Sequence, residues 1–187
     1  MNSSFINTQA LVLNRRKRRE GDLLVTLFTK SLGKINCIAK GAQSIKSRRL
    51  GHLEIGNLIN CHLYQKNNFY WLSESEAVEV FLNNPKKLSQ YGLLFFFYEV
   101  INQLLPLSEP STTVYELITV ATRAISQNNY SQFIDSEINL IEQLGYGLPS
   151  EIDLIYKQKK YQQTQILLRK YFESILEKPL NSPQSFK

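Results

Sequence analysis

Two stretches decide the fold: Asp22-Leu23-Leu24-Val25-Thr26-Leu27-Phe28-Thr29 and Lys34-Ile35-Asn36-Cys37-Ile38-Ala39, joined by Lys30-Ser31-Leu32-Gly33. Both alternate apolar and polar positions and are rich in β-branched and aromatic residues, which predicts strands. The four-residue connection ends in a glycine free to take a left-handed backbone, so the two strands form a hairpin. Around them cations crowd. Arg15, Arg16, Lys17, Arg18 and Arg19 precede the hairpin, Lys34 opens its second strand, and Lys40, Lys46, Arg48 and Arg49 follow it, against only Glu20 and Asp22.

Working outward, Thr8–Asn14 reads as a strand before the hairpin, with Arg15–Glu20 as a basic connection. After the hairpin, Gly41–Gly51 reads as a long basic loop. Asn57–Gln65 and Phe69–Leu72, the latter extending toward Val80, read as a second strand pair turning at Lys66-Asn67-Asn68. Five short antiparallel strands in about 70 residues predict a closed five-stranded barrel of the oligonucleotide-binding type, because closure removes exposed edges.

The pattern changes at Asn83-Asn84-Pro85. Leu88, Tyr91, Phe95, Tyr98, Ile101 and Leu105 recur at helical spacing, and three further helices are expected over Tyr115–Ile125, Phe133–Leu144 and Ile166–Ile175. Ser111-Thr112-Thr113 offers a helix cap and Gly145 a helix stop, while Lys157–Tyr161 reads as a basic connection. The expected fold class is therefore α+β, with a barrel domain over residues 1–82 and a helical bundle over 83–187.

Charge follows the same division. Residues 1–80 hold 12 Lys/Arg and 6 Asp/Glu, a net +6, and residues 81–187 hold 10 of each. A basic excess confined to one half points to a polyanion, either nucleic acid or an anionic surface. Arg is suited to phosphate because its planar fork holds two oxygens at once. Folding does not need five consecutive cations, which repel one another.

Other classes fare worse. The cysteines are Cys37 and Cys61 and the histidines His52 and His62, too few and wrongly spaced for a closed zinc site or a catalytic triad. No phosphate-loop or dinucleotide fingerprint occurs. The expectation is a protein that is not an enzyme and uses no cofactor and no metal. No segment approaches the ~20 apolar residues of a membrane span, so a cytoplasmic, nucleoid-associated location without membrane contact is expected. Glu20 and Asp22 are expected to serve turn geometry or to pair with a nearby Arg. Phe69-Tyr70-Trp71 alternates across a strand, so one face belongs to the barrel core and the other is left for base stacking.

Several short motifs occur in a fixed order: Leu11-Val12-Leu13-Asn14, Glu20-Gly21-Asp22-Leu23-Leu24, Leu27-Phe28-Thr29, Gly33-Lys34, Ala39-Lys40-Gly41-Ala42 and Lys46-Ser47-Arg48-Arg49. Together with Leu53-Glu54 and Leu144-Gly145-Tyr146 further on, they resemble the bacterial RecO recombination and repair family. The resemblance is densest over residues 10–65. It implies an oligonucleotide-binding barrel on a helical domain. It also implies binding of single- and double-stranded DNA, strand annealing, and recombinase loading with RecR and single-strand-binding protein. The helical domain would receive that protein's C-terminal tail, with Arg123, Arg169 and Lys170 as candidate cations. Many members carry a four-cysteine zinc module after the Leu-Gly-Tyr stretch, whereas Gly147–Gln163 here is short and has no cysteine. Two other functions fit the same residues, a protein-interaction adaptor whose barrel binds no DNA and an RNA-binding barrel.

Overall fold

A computed structural model describes residues 4–44, 47, 49–67, 69–82 and 88–182, apart from the side chain of Arg49. The chain forms two compact units, one of Met1–Asn83 with Leu105–Tyr115 and one of Asn84–Leu104 with Glu116–Lys187.

The first unit is a closed barrel of five strands: β1 (Ser4–Lys17), β2 (Leu23–Thr29), β3 (Gly33–Ala39), β4 (Leu58–Lys66) and β5 (Phe69–Glu79). They pair in the order β1-β2-β3-β5-β4. All contacts are antiparallel except β3 with β5, where Cys37 faces Tyr70 and Ile38 faces Trp71. Closure depends on the length of β1. Its first half, Ser4–Leu11, pairs with β4, and its second half, Ala10–Lys17, pairs with β2. A register shift between Val12 and Asn14 bends the strand between these two duties. Inward positions of every strand build one core that includes Val12, Val25, Leu27, Ile35, Ile59, Leu63 and Leu72. Cys37 and Cys61 are free thiols within that core, and burial pushes the pKa of both upward.

β1 is longer than the sequence suggested. Arg15, Arg16 and Lys17 are strand residues opposite Val25, Leu24 and Leu23, and the true connection is Arg18–Asp22. The long loop after β3 ends in a short helix, α1 (Arg49–His52). The Asn57 amide caps α1 by donating to the Gly51 and His52 carbonyls, and His52 Nδ1 lies 2.7 Å from the Ser75 carbonyl of β5.

Leu105–Tyr115, on the helical side of the expected division, belongs to the barrel unit. Lys34 and Leu107 form a bridge, the Ser108 N–H donates to the Lys34 carbonyl at 2.8 Å, and the Phe28 and Tyr115 rings stack. This segment covers one end of the outer face of the hairpin.

In the second unit, α2 (Leu88–Leu104), α3 (Thr112–Ser126) from Glu116 onward, α4 (Tyr130–Gln143), α5 (Ser150–Lys157) and α6 (Tyr161–Leu176) follow in order. α5 was not anticipated, since eight residues carry too few turns for a clear periodic signal. The buried face of α2 also differs from the expected stripe. Leu88 is 82% and Phe95 45% exposed, while Leu93, Leu94, Phe97, Tyr98 and Ile101 are buried. Phe97 meets Phe133 of α4 edge-on, and Phe96 meets Phe172 of α6. The buried Gln90 amide donates to the carbonyls of Ile125 and Ser126 at the end of α3. Tyr98 shares a buried hydrogen bond with Thr122. The Tyr156 hydroxyl of α5 donates to Asp135 of α4, which raises the Tyr156 pKa to about 12.

Candidate nucleic-acid interface

Strand alternation sorts the predicted cations into different places. Arg15 lies opposite the core residue Val25 and so points toward the end of the barrel that α1 closes. Its guanidinium donates to the Leu50 carbonyl at 3.3 Å and pairs with Glu54 at 2.5 Å. Arg15 is therefore a strut for the α1 segment, and its charge is already matched. Lys34 is a second correction. It is only 7% exposed beneath the Leu105–Ser108 segment, and burial holds its ammonium pKa below the ordinary value.

Arg16 points the other way. It faces Leu24, Leu24 faces Ile38, and Ile38 faces Trp71, so these four residues form one row across the outer wall. The adjacent row holds Asn14, Thr26 and Asn36, and the Thr26 hydroxyl donates to Asn36 Oδ1 at 2.9 Å. Lys40 stands beyond β3 with its Nζ 4.8 Å from the Trp71 ring centroid. Lys17, Arg18 and Arg19 are exposed at the end of β1 and in the turn that follows. Among the described residues, the side chains of Arg16, Lys17, Arg18 and Arg19 make no ion pair.

The turn itself is firmly built. Glu20 and Gly21 both take left-handed backbone, with φ of 65° and 75°. The Gly41 N–H donates to Asp22 Oδ1, the Gln43 N–H to the Gly21 carbonyl, and the Gln43 amide to the carbonyls of Arg18 and Asp22. The connection after β1 and the one after β3 are thus stitched into a single basic ledge beside the Arg16–Trp71 row. Lys46 and Arg48 lie outside the described residues, as does the side chain of Arg49.

The sequence reading missed Leu24, Thr26, Asn36 and Ile38 as the floor of this surface, although the alternation that marks β2 and β3 as strands also marks these as the outward set. On β5, Tyr70 packs against the core, while Phe69 is exposed and Trp71 half-buried on the outer side. In the helical unit, Arg169 donates to the carbonyls of Leu180 and Ser182, pairs with Glu173 and stands over the Phe96 ring. It closes the chain over α6 rather than presenting its charge. Lys170 is exposed on α6 and Arg123 half-buried on α3.

Among the described residues no group of His, Cys, Asp or Glu is placed to hold a metal ion, and no helix is long and apolar enough to cross a membrane.

A closed barrel in the order β1-β2-β3-β5-β4, with its outer hairpin face bordered by cations and a half-buried tryptophan, defines an oligonucleotide-binding-fold protein. Residues 1–81 match the family described as Recombination protein O N terminal. The chain is 30% identical over 145 residues to the DNA repair protein RecO of Thermoanaerobacter sp. (strain X514), covering 76% of this chain and 58% of that one. It is 31% identical over 145 residues to that of Caldanaerobacter subterraneus subsp. tengcongensis, covering 76% and 59%. With that of Syntrophobacter fumaroxidans it shares 30% over 124 residues, covering 66% and 50%. The chain is thus similar to the RecO proteins, most directly through their N-terminal domain, and it spans between half and three-fifths of the length of these relatives.

Proposed function

We infer that the barrel binds DNA through its outer hairpin face and that the chain acts in recombinational repair. In this reading it promotes strand annealing and recombinase loading with RecR and single-strand-binding protein, on single- and double-stranded DNA. The observation that carries the reading is the set of Arg16, Lys17, Arg18 and Arg19, which are exposed and, among the described residues, unmatched by carboxylates, beside Lys40 and the Trp71 ring. Phosphates meet the cations of the ledge, and bases meet the row of Leu24, Ile38 and Trp71. The chemistry is capture and positioning, with no bond made or broken. A tail-binding role for Arg123 and Lys170 in the helical unit, and a division near residues 82/83 with Leu105–Tyr115 returning to the barrel unit, belong to the same reading.

The test is binding of a single-stranded DNA oligomer followed across salt concentrations. With about five phosphates neutralised, log affinity falls with log salt at a slope near −3.5, so a fourfold rise in salt weakens binding roughly 100-fold. Trp71 is the sole tryptophan of the chain, so its own fluorescence reports a base laid on the ring. Replacing Arg16, Lys17, Arg18 and Arg19 together by Ala flattens the slope. A flat slope in the unaltered protein would sink the reading in favour of the adaptor. Tighter binding of a matched RNA strand would favour the RNA-binding barrel.

A further inference from the structure

The row that starts at Arg16 does not end at Trp71. Trp71 faces Tyr64 on β4, and Tyr64 faces Phe5 on β1. Residues directly opposite on paired strands share a face, so Trp71, Tyr64 and Phe5 form an outward aromatic ladder over three adjacent strands. The Phe5 and Tyr64 centroids are 5.2 Å apart. Phe69, opposite Lys66, flanks the ladder at the strand ends. Phe5 is 79% and Phe69 64% exposed. The barrel core is complete without them, and grouped exposed aromatic rings mark an interaction surface.

We propose that this ladder is a second, base-stacking segment of the single-stranded nucleic-acid path, continuing it from Trp71 over Tyr64 to Phe5 on the opposite wall of the barrel. The inference rests on the reading of the hairpin face given above and extends it to a surface without an arginine. Continuity is the first argument, since Trp71 belongs to both rows and Lys40 stands over its ring. Charge is the second: Lys40 borders the ladder at one side and Lys66 at the strand ends, within reach of phosphates. Spacing is the third. Two strand separations of about 4.8 Å each span about 10 Å from Trp71 to Phe5, room for two or three bases at a stacked rise of roughly 3.4 Å. Aromatic rings on a sheet surface stack two or three bases in this way in RNA-binding modules.

The same wall limits the direction of the path. The next outward rows hold Asn7, His62 and Glu74, then Gln9, Asn60 and Glu76, which line a polar cavity of about 510 Å³. Their carboxylates repel phosphate, so the strand crosses the barrel along the ladder and does not follow β5.

The test uses the full chain and two oligothymidylates, about six and about twelve nucleotides long, within the ~4–16 nucleotides that such folds occupy. The variant carries Phe5→Ala and Phe69→Ala, both at largely exposed positions. A second variant, Tyr64→Leu, keeps the apolar contact of the half-buried ring, and thermal melts establish that both fold. The expected result is a loss of affinity for the longer strand on the order of tenfold per ring removed. Affinity for the shorter strand, its salt slope and its Trp71 quenching stay unchanged. Equal binding of the longer strand by variants and unaltered protein overturns the proposal and leaves the ladder to a protein partner. If the unaltered protein shows no salt-dependent binding of the short strand, the hairpin-face reading itself fails and the ladder proposal falls with it.

Discussion

Asp22 and Gly41 are joined by one hydrogen bond, the Gly41 N–H donating to Asp22 Oδ1 at 2.8 Å. It links two connections that lie 19 residues apart in the chain. With Gln43 donating to Arg18, Gly21 and Asp22, it ties the Arg18–Asp22 turn to the start of the connection after β3. The Asp22 carboxylate thus serves backbone geometry.

This gives a prediction that separates charge from architecture. Asp22→Ala removes the acceptor and costs about 1 kcal/mol of stability, the usual worth of a partly exposed hydrogen bond. Asp22→Asn removes the same negative charge but keeps a side-chain oxygen for Gly41. If the ledge matters, Asp22→Asn binds single-stranded DNA at least as tightly as the unaltered protein and Asp22→Ala binds more weakly than Asp22→Asn. Equal affinities for the two variants would mean that only the charge counts.

Gly33 holds the second conjunction. Its φ is +68°, and a Cβ placed there would lie 2.2 Å from the Glu109 carbonyl oxygen. Left-handed backbone alone costs an L-residue roughly 1–2 kcal/mol, and here the obstacle is backbone that cannot step aside without lifting the Leu105–Pro110 segment. Gly33→Ala is expected to lower stability by more than about 2 kcal/mol in chemical denaturation. Gly33→Asn is the control. Asn tolerates the left-handed region, so its failure to rescue identifies the close approach as the cause, and full rescue would show that conformation alone decides.

Much of this architecture was legible because local pattern and tertiary demand agree. Leu23–Phe28 and Ile35–Ala39 alternate in the sequence and in the barrel, and Gly33 marks the turn in both. The failures have particular causes. Arg15 and Arg16 are neighbours of one type, and only the extension of β1 to Lys17 sends one to the α1 end and the other to the outer wall. Lys34 reads as exposed until Leu107, more than 70 residues later, closes over it. In α2 the run Leu93–Tyr98 is apolar on every side, so periodicity offers several faces, and contact with Phe133 and Phe172 selects the one containing Phe96 and Phe97. The ledge was invisible because its hydrogen bonds join segments that no spacing rule relates.

The end of the helical unit makes an acid-sensitive clasp. Glu99 accepts from the backbone N–H groups of Asn181 and Ser182 and from the Asn181 amide, at 2.8–2.9 Å. Burial on its own raises the carboxyl pKa, but these hydrogen bonds outweigh it and leave the value below the ordinary one. A depressed carboxylate contributes stability that is present above its unfolded value and lost as pH falls through its folded value. Protection of the Asn181 and Ser182 amides, measured against their intrinsic exchange rates, should therefore fall on acidification below the ordinary carboxyl range. Glu99→Gln should show the low protection already at neutral pH, because its amide group cannot accept from both backbone donors. Protection that is unchanged in Glu99→Gln would remove Glu99 as the clasp.

Glu137 behaves in the opposite sense. It is fully buried in α4, Gln165 of α6 donates to its Oε1 at 3.3 Å, and its Oε2 has no hydrogen-bond partner among the described residues. Removal from water raises its pKa well above the ordinary value, against a smaller lowering by Gln165. At pH values between the unfolded value and the raised folded one, the folded protein therefore holds a neutral carboxyl where the unfolded chain holds an ionised one. The fold is stable with respect to this group below the unfolded pKa near 4.5 and loses stability as pH rises toward the folded value, by up to ~1.4 kcal/mol per pH unit. Glu137→Gln keeps the shape and stays neutral at every pH. Urea denaturation at pH 5 and pH 8 is then expected to give the variant a growing advantage over the unaltered protein at the higher pH. A constant difference between the two proteins would show that Glu137 is not the group that titrates.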